Sequence, residues 1–201
     1  MTPLKSDPAA AERALMAVLC AEIRGFTRMS EILEPAVVIA RIAEFFSMVA
    51  AAVEGHDGNV RSRLNDNLVA TFAGTAGAMH AVEAAQQIQR DFNAIEEGWQ
   101  RDYGFHTAVA MGLHCGDVVV GGLESPLAPQ MLTIGDGLSL AERLLHRARA
   151  GEFVLSKALM DNLASSGGSL EVEPLPALRI RGREPVEIYG VLLDTRLDFT
   201  N

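Results

Sequence analysis

The sequence has few of the features that would identify a class of protein at once. It has only two cysteines in 201 residues, Cys20 and Cys115, too far apart for metal-ligand spacing, so we expect buried free thiols in a reducing compartment. It has no G-x-x-x-x-G-K-[ST] run, which excludes a P-loop. It has no uninterrupted run of roughly 20 apolar residues and no apolar signal segment near its start. We therefore expect a cytoplasmic protein with no membrane partner.

The balance of charge is acidic and argues against one class of partner. The formal net charge is -9 and the isoelectric point is near 5.0, and no basic stripe runs along the chain, so we expect no nucleic acid. With 49% hydrophobic residues, a chain of this length predicts one domain with one core. We assign an N-terminal arm to residues 1–13, the domain to residues 14–193 and a tail to residues 194–201.

The spacing of apolar residues predicts strands and helices in β-α-β-β-α-β order, hence a mixed α/β sandwich with helices on one face of a sheet. A turn is expected at residues 25–30. The predicted strands are residues 14–23, 60–64, 68–72, 107–114, 117–120, 131–134, 153–155, 178–180 and 186–192. The predicted helices begin at Pro35, Ala76, Leu138 and after Ser156, with the second ending near Glu97.

Two carboxylates, Glu22 and Asp66, lie where strands end rather than on exposed helix faces. Asp66 is also what an ordinary hairpin tip would contain, whereas Glu22 lies in an apolar strand and needs a partner. A shared metal site and two unrelated structural roles are both open. After Glu22, residues 24–27 form a sharp turn into a short helix, whose backbone N–H groups are able to meet phosphate oxygens. His114, within a strand, is expected to be a core histidine.

Six segments in order resemble the class III adenylate/guanylate cyclases. The first, LCAEIRGFT at residues 19–27, resembles their first metal-binding segment, and residues 58–72 resemble the hairpin that carries the second metal ligand. Residues 112–121, 133–144, 151–156 and 181–186 resemble the later segments. The resemblance covers about residues 14–193 and implies a ferredoxin-like βαββαβ core with helices packed on a mixed sheet.

The resemblance also implies a reaction and a set of residues. In this family two domains pair head to tail, and two Mg²⁺ or Mn²⁺ ions assist the attack of a ribose 3′-hydroxyl on the α-phosphorus, which releases pyrophosphate. By position, the metal ligands are Glu22, Asp66 and the Ile23 carbonyl. The transition-state positions are Arg143 and Ser139. The phosphate-binding positions are Gly25, Phe26, Thr27, Arg181 and Arg183.

Four positions depart from the family pattern. Glu22 stands where the family has Asp, and Ser139 where it has Asn. Ser62 and Leu132 stand where the family reads the base with Lys and with Asp or Thr. Magnesium tolerates little change in ligand distance, and a misplaced reacting group costs roughly 10²-fold in rate. The catalytic set is therefore interpreted as degenerate, and whether the chain is an enzyme is left open.

Three hypotheses follow. The favoured one is a regulatory or partner-dependent module in cyclic-nucleotide signalling, which binds a nucleoside triphosphate or cyclic nucleotide. It would pair as a homodimer or with another cyclase chain that supplies the missing groups. The second is an active cyclase of unusual base specificity. The third is a structural dimer whose old site is filled by side chains.

Overall fold

The computed structural model describes residues 5–6, 12–104, 106–124 and 130–192. Seven of the nine strands form a continuous sheet in the order β3-β4-β2-β5-β7-β9-β8, and β1 and β6 pair with β5. The strands are β1 (Lys5–Ser6), β2 (Glu12–Arg24), β3 (Asn59–Leu64), β4 (Asn67–Phe72), β5 (Ala108–Glu124), β6 (Gln130–Ile134), β7 (Glu152–Ser156), β8 (Glu173–Leu178) and β9 (Val186–Leu192). The helices are α1 (Phe26–Ile32), α2 (Pro35–Gly55), α3 (Gly77–Tyr103), α4 (Asp136–Arg147) and α5 (Lys157–Ser165).

The predicted βαββαβ core is confirmed as β2-α2-β3-β4-α3-β5. Its four strands are neighbours in the sheet and pair antiparallel, and β7 joins β5 in parallel. Alternate residues of β2 enter two different clusters, as the period of a strand requires. Leu19 and Ile23 pack with α2, α3 and α5, whereas Val18 and Cys20 pack with α4. The expectation of helices on one face is therefore wrong, because α4 covers the opposite face of the sheet.

The chain does not turn back at Cys115–Gly116 as predicted, because residues 108–124 form the single strand β5. Gly116 instead allows a close packing contact. A Cβ at Gly116 would lie 2.7 Å from His114 Nε2 and 2.9 Å from the Cα of Gly137 at the start of α4. Only a residue without a side chain lets α4 approach the strand this closely. A glycine that looks like a turn in the sequence is thus a packing contact.

Three smaller differences have local causes. The segment at residues 25–30, expected to be a turn, is mostly the short helix α1. Helix α3 continues past its predicted end because Trp99 is buried in the core and donates a hydrogen bond to Glu44 Oε2 at 3.0 Å. Strand β8 covers Glu173–Leu178 rather than the predicted residues 178–180, and its position at the edge of the sheet tolerates its two prolines.

The ends of the chain are only partly described. Within the predicted arm of residues 1–13, Lys5–Ser6 pairs with the end of β5, and Glu12 and Arg13 already belong to β2. The predicted tail, residues 194–201, lies outside the described residues.

Helix α2 is long and apolar enough, by length and composition alone, to cross a membrane, with a mean hydropathy of 2.0 over its most apolar stretch. This differs from the expectation that no such segment exists. In the structure 22% of that stretch is buried, and Phe45, Val49 and Val53 lie in the core against α3 and the sheet. One such helix is weak evidence for a membrane span, because the core helices of globular domains pass the same test.

His114 and both cysteines are buried, as the sequence predicted. The His114 ring hydrogen-bonds Ser156 Oγ at 2.7 Å, and that oxygen also accepts the backbone N–H of Leu159 as the cap of α5. Burial lowers the pKa of His114 to about 4, with Asp136 raising it and Arg183 lowering it by smaller amounts. Burial raises the pKa of the Cys115 thiol to about 12, so this thiol is unreactive.

The buried histidine predicts a pH dependence of stability. Because its folded pKa lies below the unfolded value, the unfolded chain binds the extra proton between about pH 6.5 and pH 4. Stability present above pH 6.5 is lost as the pH falls through this window, by up to about 3 kcal/mol. Urea unfolding at several pH values measures the free energy of unfolding as a function of pH. Between about pH 6.5 and pH 4 this free energy should fall less steeply for His114→Asn than for the wild type. The exposed His146→Asn should keep the wild-type slope, and equal slopes in all three proteins would contradict the assignment.

Gly112 fixes the distance between α4 and the sheet. A Cβ there would lie 2.2 Å from both the carbonyl oxygen of Ala141 and the backbone nitrogen of Leu145. Both atoms belong to the backbone of α4, so a side chain at this position must displace the helix.

We therefore expect Gly112→Ala to destabilise the domain by about 1–3 kcal/mol, as overpacked cores do. The matched control is Gly98→Ala, in α3, where an added Cβ meets nothing within 4 Å. That change should stabilise the domain by about 0.5–1 kcal/mol, because alanine favours a helix. Urea denaturation of both variants measures the difference, and equal effects would contradict the close approach of α4.

Candidate active site

The predicted metal ligands lie together at one end of β2 and β4. Glu22 is directly opposite Asn67, and Asp66 precedes Asn67 at the tip of the β3–β4 hairpin. The backbone N–H of Ile23 donates to the carbonyl of Asp66 at 3.4 Å. The hairpin loop has two residues, and Asn65 adopts φ 54°, the left-handed conformation that such turns need. The hairpin thus places Asp66 beside Glu22 and Ile23.

Arg24 engages one of the two carboxylates. Its Nη1 forms an ion pair with Glu22, and its Nη2 donates to the carbonyls of Leu145 and Ala148 at 2.7 and 3.0 Å. These carbonyls lie at the C-terminal end of α4, where a cation is favoured. From the sequence, Arg24 was recognised only as part of a motif, and this bridge was not predicted. Its position two residues from Glu22, on the same face of a strand, was the available signal.

Asp66 differs from Glu22 in having no cation beside it. Within the described parts of the chain, no hydrogen bond or ion pair to its carboxylate is present. In the same described residues, no group of three or more His, Cys, Asp or Glu side chains is close enough to share a metal. The candidate donors are therefore two carboxylates and neighbouring backbone or amide oxygens. Such hard oxygen donors suit Mg²⁺ and Mn²⁺.

The three predicted phosphate-binding residues follow directly from β2. Gly25 has φ 90° and immediately precedes α1. As in any helix, the first backbone N–H groups of α1 have no partners within the helix. Phe26 packs partly against the core, and Thr27 is exposed. These residues lie next to the carboxylates because the strand runs straight into the turn.

The predicted transition-state positions lie elsewhere. Ser139 and Arg143 are four residues apart on the exposed side of α4, while Leu140 and Leu144 are buried against the sheet. Asp136, on the first turn of the same helix, forms an ion pair with Arg183 rather than with Arg143. Through Arg24, Glu22 is linked to the carbonyl of Leu145 at the C-terminal end of α4. Ser139 lies six residues before Leu145, a separation of about 9 Å along the helix.

The two arginines predicted to bind outer phosphates lie on one turn. Gly182 has φ 81°, and Arg183 N–H donates to the carbonyl of Ile180 at 3.1 Å, which closes the turn. Arg181 and Arg183 are both exposed. Through Asp136, Arg183 lies at the N-terminal end of α4, so this turn belongs with Ser139 rather than with the carboxylates.

The base-reading positions occupy two strands. Ser62 is exposed on the edge strand β3, opposite Val69, and lines an open groove of about 420 Å³ together with Glu54 and Arg61. Leu132 lies in β6 opposite Gly121 of β5, and its side chain is outside the described residues. Neither Glu22 nor Asp66 lines the groove that contains Ser62.

Known proteins share this arrangement of segments. The family model "Adenylate and Guanylate cyclase catalytic domain" matches residues 10–193. This chain belongs to the class III adenylate and guanylate cyclase family. The cyclase domain is 26% identical over 189 residues to an adenylate cyclase of Anabaena cylindrica, and 27% identical over 190 residues to adenylate cyclase 1 of Rhizobium meliloti. The two aligned regions cover 90% and 91% of this chain but only 38% and 28% of the two relatives. The chain therefore spans about a third of their length.

Solved structures of cyclases share the fold of this domain. The adenylyl cyclase CyaB from P. aeruginosa superposes with a TM-score of 0.83 at 21% identity, covering 92% of this chain and 97% of that one. The guanylyl cyclase Cya2 superposes with a TM-score of 0.81 at 22% identity, covering 90% and 93%. At these identities the similarity establishes the fold, and the substrate of the cyclase domain stays a matter for experiment.

The Arg24 bridge predicts a loss of stability on substitution. Arg24→Met removes two charge-assisted bonds to the end of α4 and leaves Glu22 without its cation, so we expect about 2 kcal/mol of destabilisation. Arg28→Met is the control, because Arg28 is exposed on α1. Urea unfolding checks both, and an Arg24 variant as stable as the Arg28 variant would show that the bridge adds nothing.

Proposed function

We propose that this cyclase domain is a partner-dependent module, which supplies metal and phosphate contacts to a site completed by a second chain. The observation that supports it best is the separation of the candidate residues into two groups. One group is Glu22, Asp66, the Ile23 carbonyl and residues 25–27. The other, on α4 and the turn at Gly182, comprises Ser139, Arg143 and Arg183. Neither group alone provides both metal ligands and groups for the transition state.

A head-to-tail dimer would bring one group from each chain into one site. In the reaction that the family implies, the ribose 3′-oxygen attacks the α-phosphorus of a nucleoside triphosphate. A bond forms between them, and the bond to pyrophosphate breaks. Two Mg²⁺ or Mn²⁺ ions, when bound, promote loss of the hydroxyl proton and neutralise the phosphate charge. Glu22, Asp66 and the Ile23 carbonyl would hold these ions, and the N–H groups of residues 25–27 would bind phosphate oxygens.

The second group is the weaker half of such a site. Arg143 is exposed on α4 without an ion pair among the residues that the structure describes, so its guanidinium is available to a developing charge. Ser139 offers a hydroxyl where the family has an amide, and the loss of such a positioned donor costs about 10²–10³-fold in rate. Ser62 does not replace the charge of a lysine. We therefore expect a homodimer with little or no cyclase activity, and a cytoplasmic role in cyclic-nucleotide signalling in partnership with another cyclase chain.

The proposal is tested with a partner that lacks metal ligands. The partner is an adenylate cyclase catalytic domain whose two metal-binding aspartates are replaced by alanine, so that it makes no product alone. Mixed with this chain, ATP and Mg²⁺ or Mn²⁺, it should form cyclic AMP and pyrophosphate. Asp66→Ala in this chain should lower the rate at least ~10²-fold. Arg143→Ala should leave the mixed reaction unchanged, because the partner supplies the arginine there.

The other outcomes distinguish the alternatives. If this chain alone converts ATP, GTP, CTP or UTP, and both Asp66→Ala and Arg143→Ala abolish turnover, it is an active cyclase of unusual specificity. The retained carboxylates and the unpaired Arg143 favour this second candidate. If neither the chain nor the mixture makes product, and no triphosphate binds at millimolar concentration, the domain is a structural dimer.

A further inference from the structure

Asn67 faces Glu22 at close range across the sheet. The two residues are directly opposite in the antiparallel pair of β2 and β4, so their side chains project from the same face. The bond from Ile23 N to Asp66 O runs between the residues flanking this pair, which makes it a non-hydrogen-bonded pair. In such pairs the Cα atoms are only about 4.5 Å apart and the side chains are close. Asn67 is also the residue immediately after Asp66.

The amide oxygen of Asn67 is buried without a partner. Among the residues that the structure describes, no donor lies within hydrogen-bonding distance of Oδ1, although the surrounding atoms exclude water from it. A buried acceptor left unpaired is costly, and such groups in folded proteins normally have a donor or a cation. Arg24 does not meet this need, because its guanidinium is engaged by Glu22 and by the carbonyls of Leu145 and Ala148.

An amide oxygen together with carboxylates is a common set of ligands for a divalent cation. It adds a donor without adding a negative charge to a site that already contains Glu22 and Asp66. The longer side chain of Glu22 changes the geometry expected for an aspartate, so a further fixed oxygen would help to complete the coordination.

We infer that Asn67 is a ligand, through Oδ1, of the divalent cation held by Glu22 and Asp66. This rests on the metal-binding role proposed above and adds a residue that the family resemblance did not provide. In the sequence alone, Asn67 is an ordinary residue of a hairpin turn. The strand register is what places it opposite Glu22.

The test measures Mn²⁺ binding to the purified full chain, by electron paramagnetic resonance of the free ion and by the shift in melting temperature. Asn67→Ala should weaken Mn²⁺ binding about 10-fold or more, since even partners that only orient ligands contribute 10- to 100-fold. Asn67→Asp keeps an oxygen at the site and should bind Mn²⁺ at least as tightly as the wild type. Asn162→Ala is the control, because that amide bonds the carbonyl of Ala158 within α5.

A second readout separates a metal ligand from a structural residue. In EDTA, Asn67→Ala should melt at the wild-type temperature or higher, because an unpaired buried acceptor has been removed. In Mn²⁺ it should lose most of the increase that the wild type shows. A lower melting temperature in EDTA, with Mn²⁺ affinity unchanged, would make Asn67 structural and overturn the inference.

The role of Asp66 distinguishes this inference from the proposed function. If Asp66→Ala weakens Mn²⁺ binding and Asn67→Ala does not, the metal site stands and the inference about Asn67 fails. If the wild type and Asp66→Ala bind Mn²⁺ equally weakly, the metal-binding role fails and the inference fails with it.

Discussion

The pairing of β2 with both of its neighbours is the constraint on which the rest of the structure depends. The strand pairs with β5 along all 13 of its residues and with β4 over its second half, and its central residues are fully buried. Residues 17–22 of β2 therefore have a paired neighbour on each side, and the helices cover both faces of the strand there. The strand pairing therefore fixes the positions of Glu22 and Arg24 at the end of β2.

Much of this architecture could be predicted from the sequence. The apolar run of β2, the proline at the start of α2 and the Asn-Asp hairpin were each local signals, and all three elements are present. The errors occurred where a residue has two explanations. Gly116 resembles a turn residue, yet its role is to accept the start of α4, and only the three-dimensional packing distinguishes the two.

The candidate site was predictable in part for the same reason. Glu22 and Asp66 were recognised as carboxylates at strand ends, and the register of β2 and β4 places Asn67, the residue after Asp66, opposite Glu22. Arg24 and Asn67 were missed, because each gains its significance from a residue on another element. The side chain of Arg24 reaches α4, 121 residues further along the chain, and that contact has no signature in local sequence.

The two halves of the site are anchored in the fold to different degrees, and this sets how each can change over evolution. Glu22 lies near the end of a core strand, where a substitution also removes its ion pair with Arg24, the residue that bridges to α4. Ser139, Arg143 and Ser62 are exposed, so replacing them costs the fold little. Selection for a stable domain therefore protects the first half and not the second. A lineage can therefore lose the exposed residues of the second half while it keeps a well-folded domain.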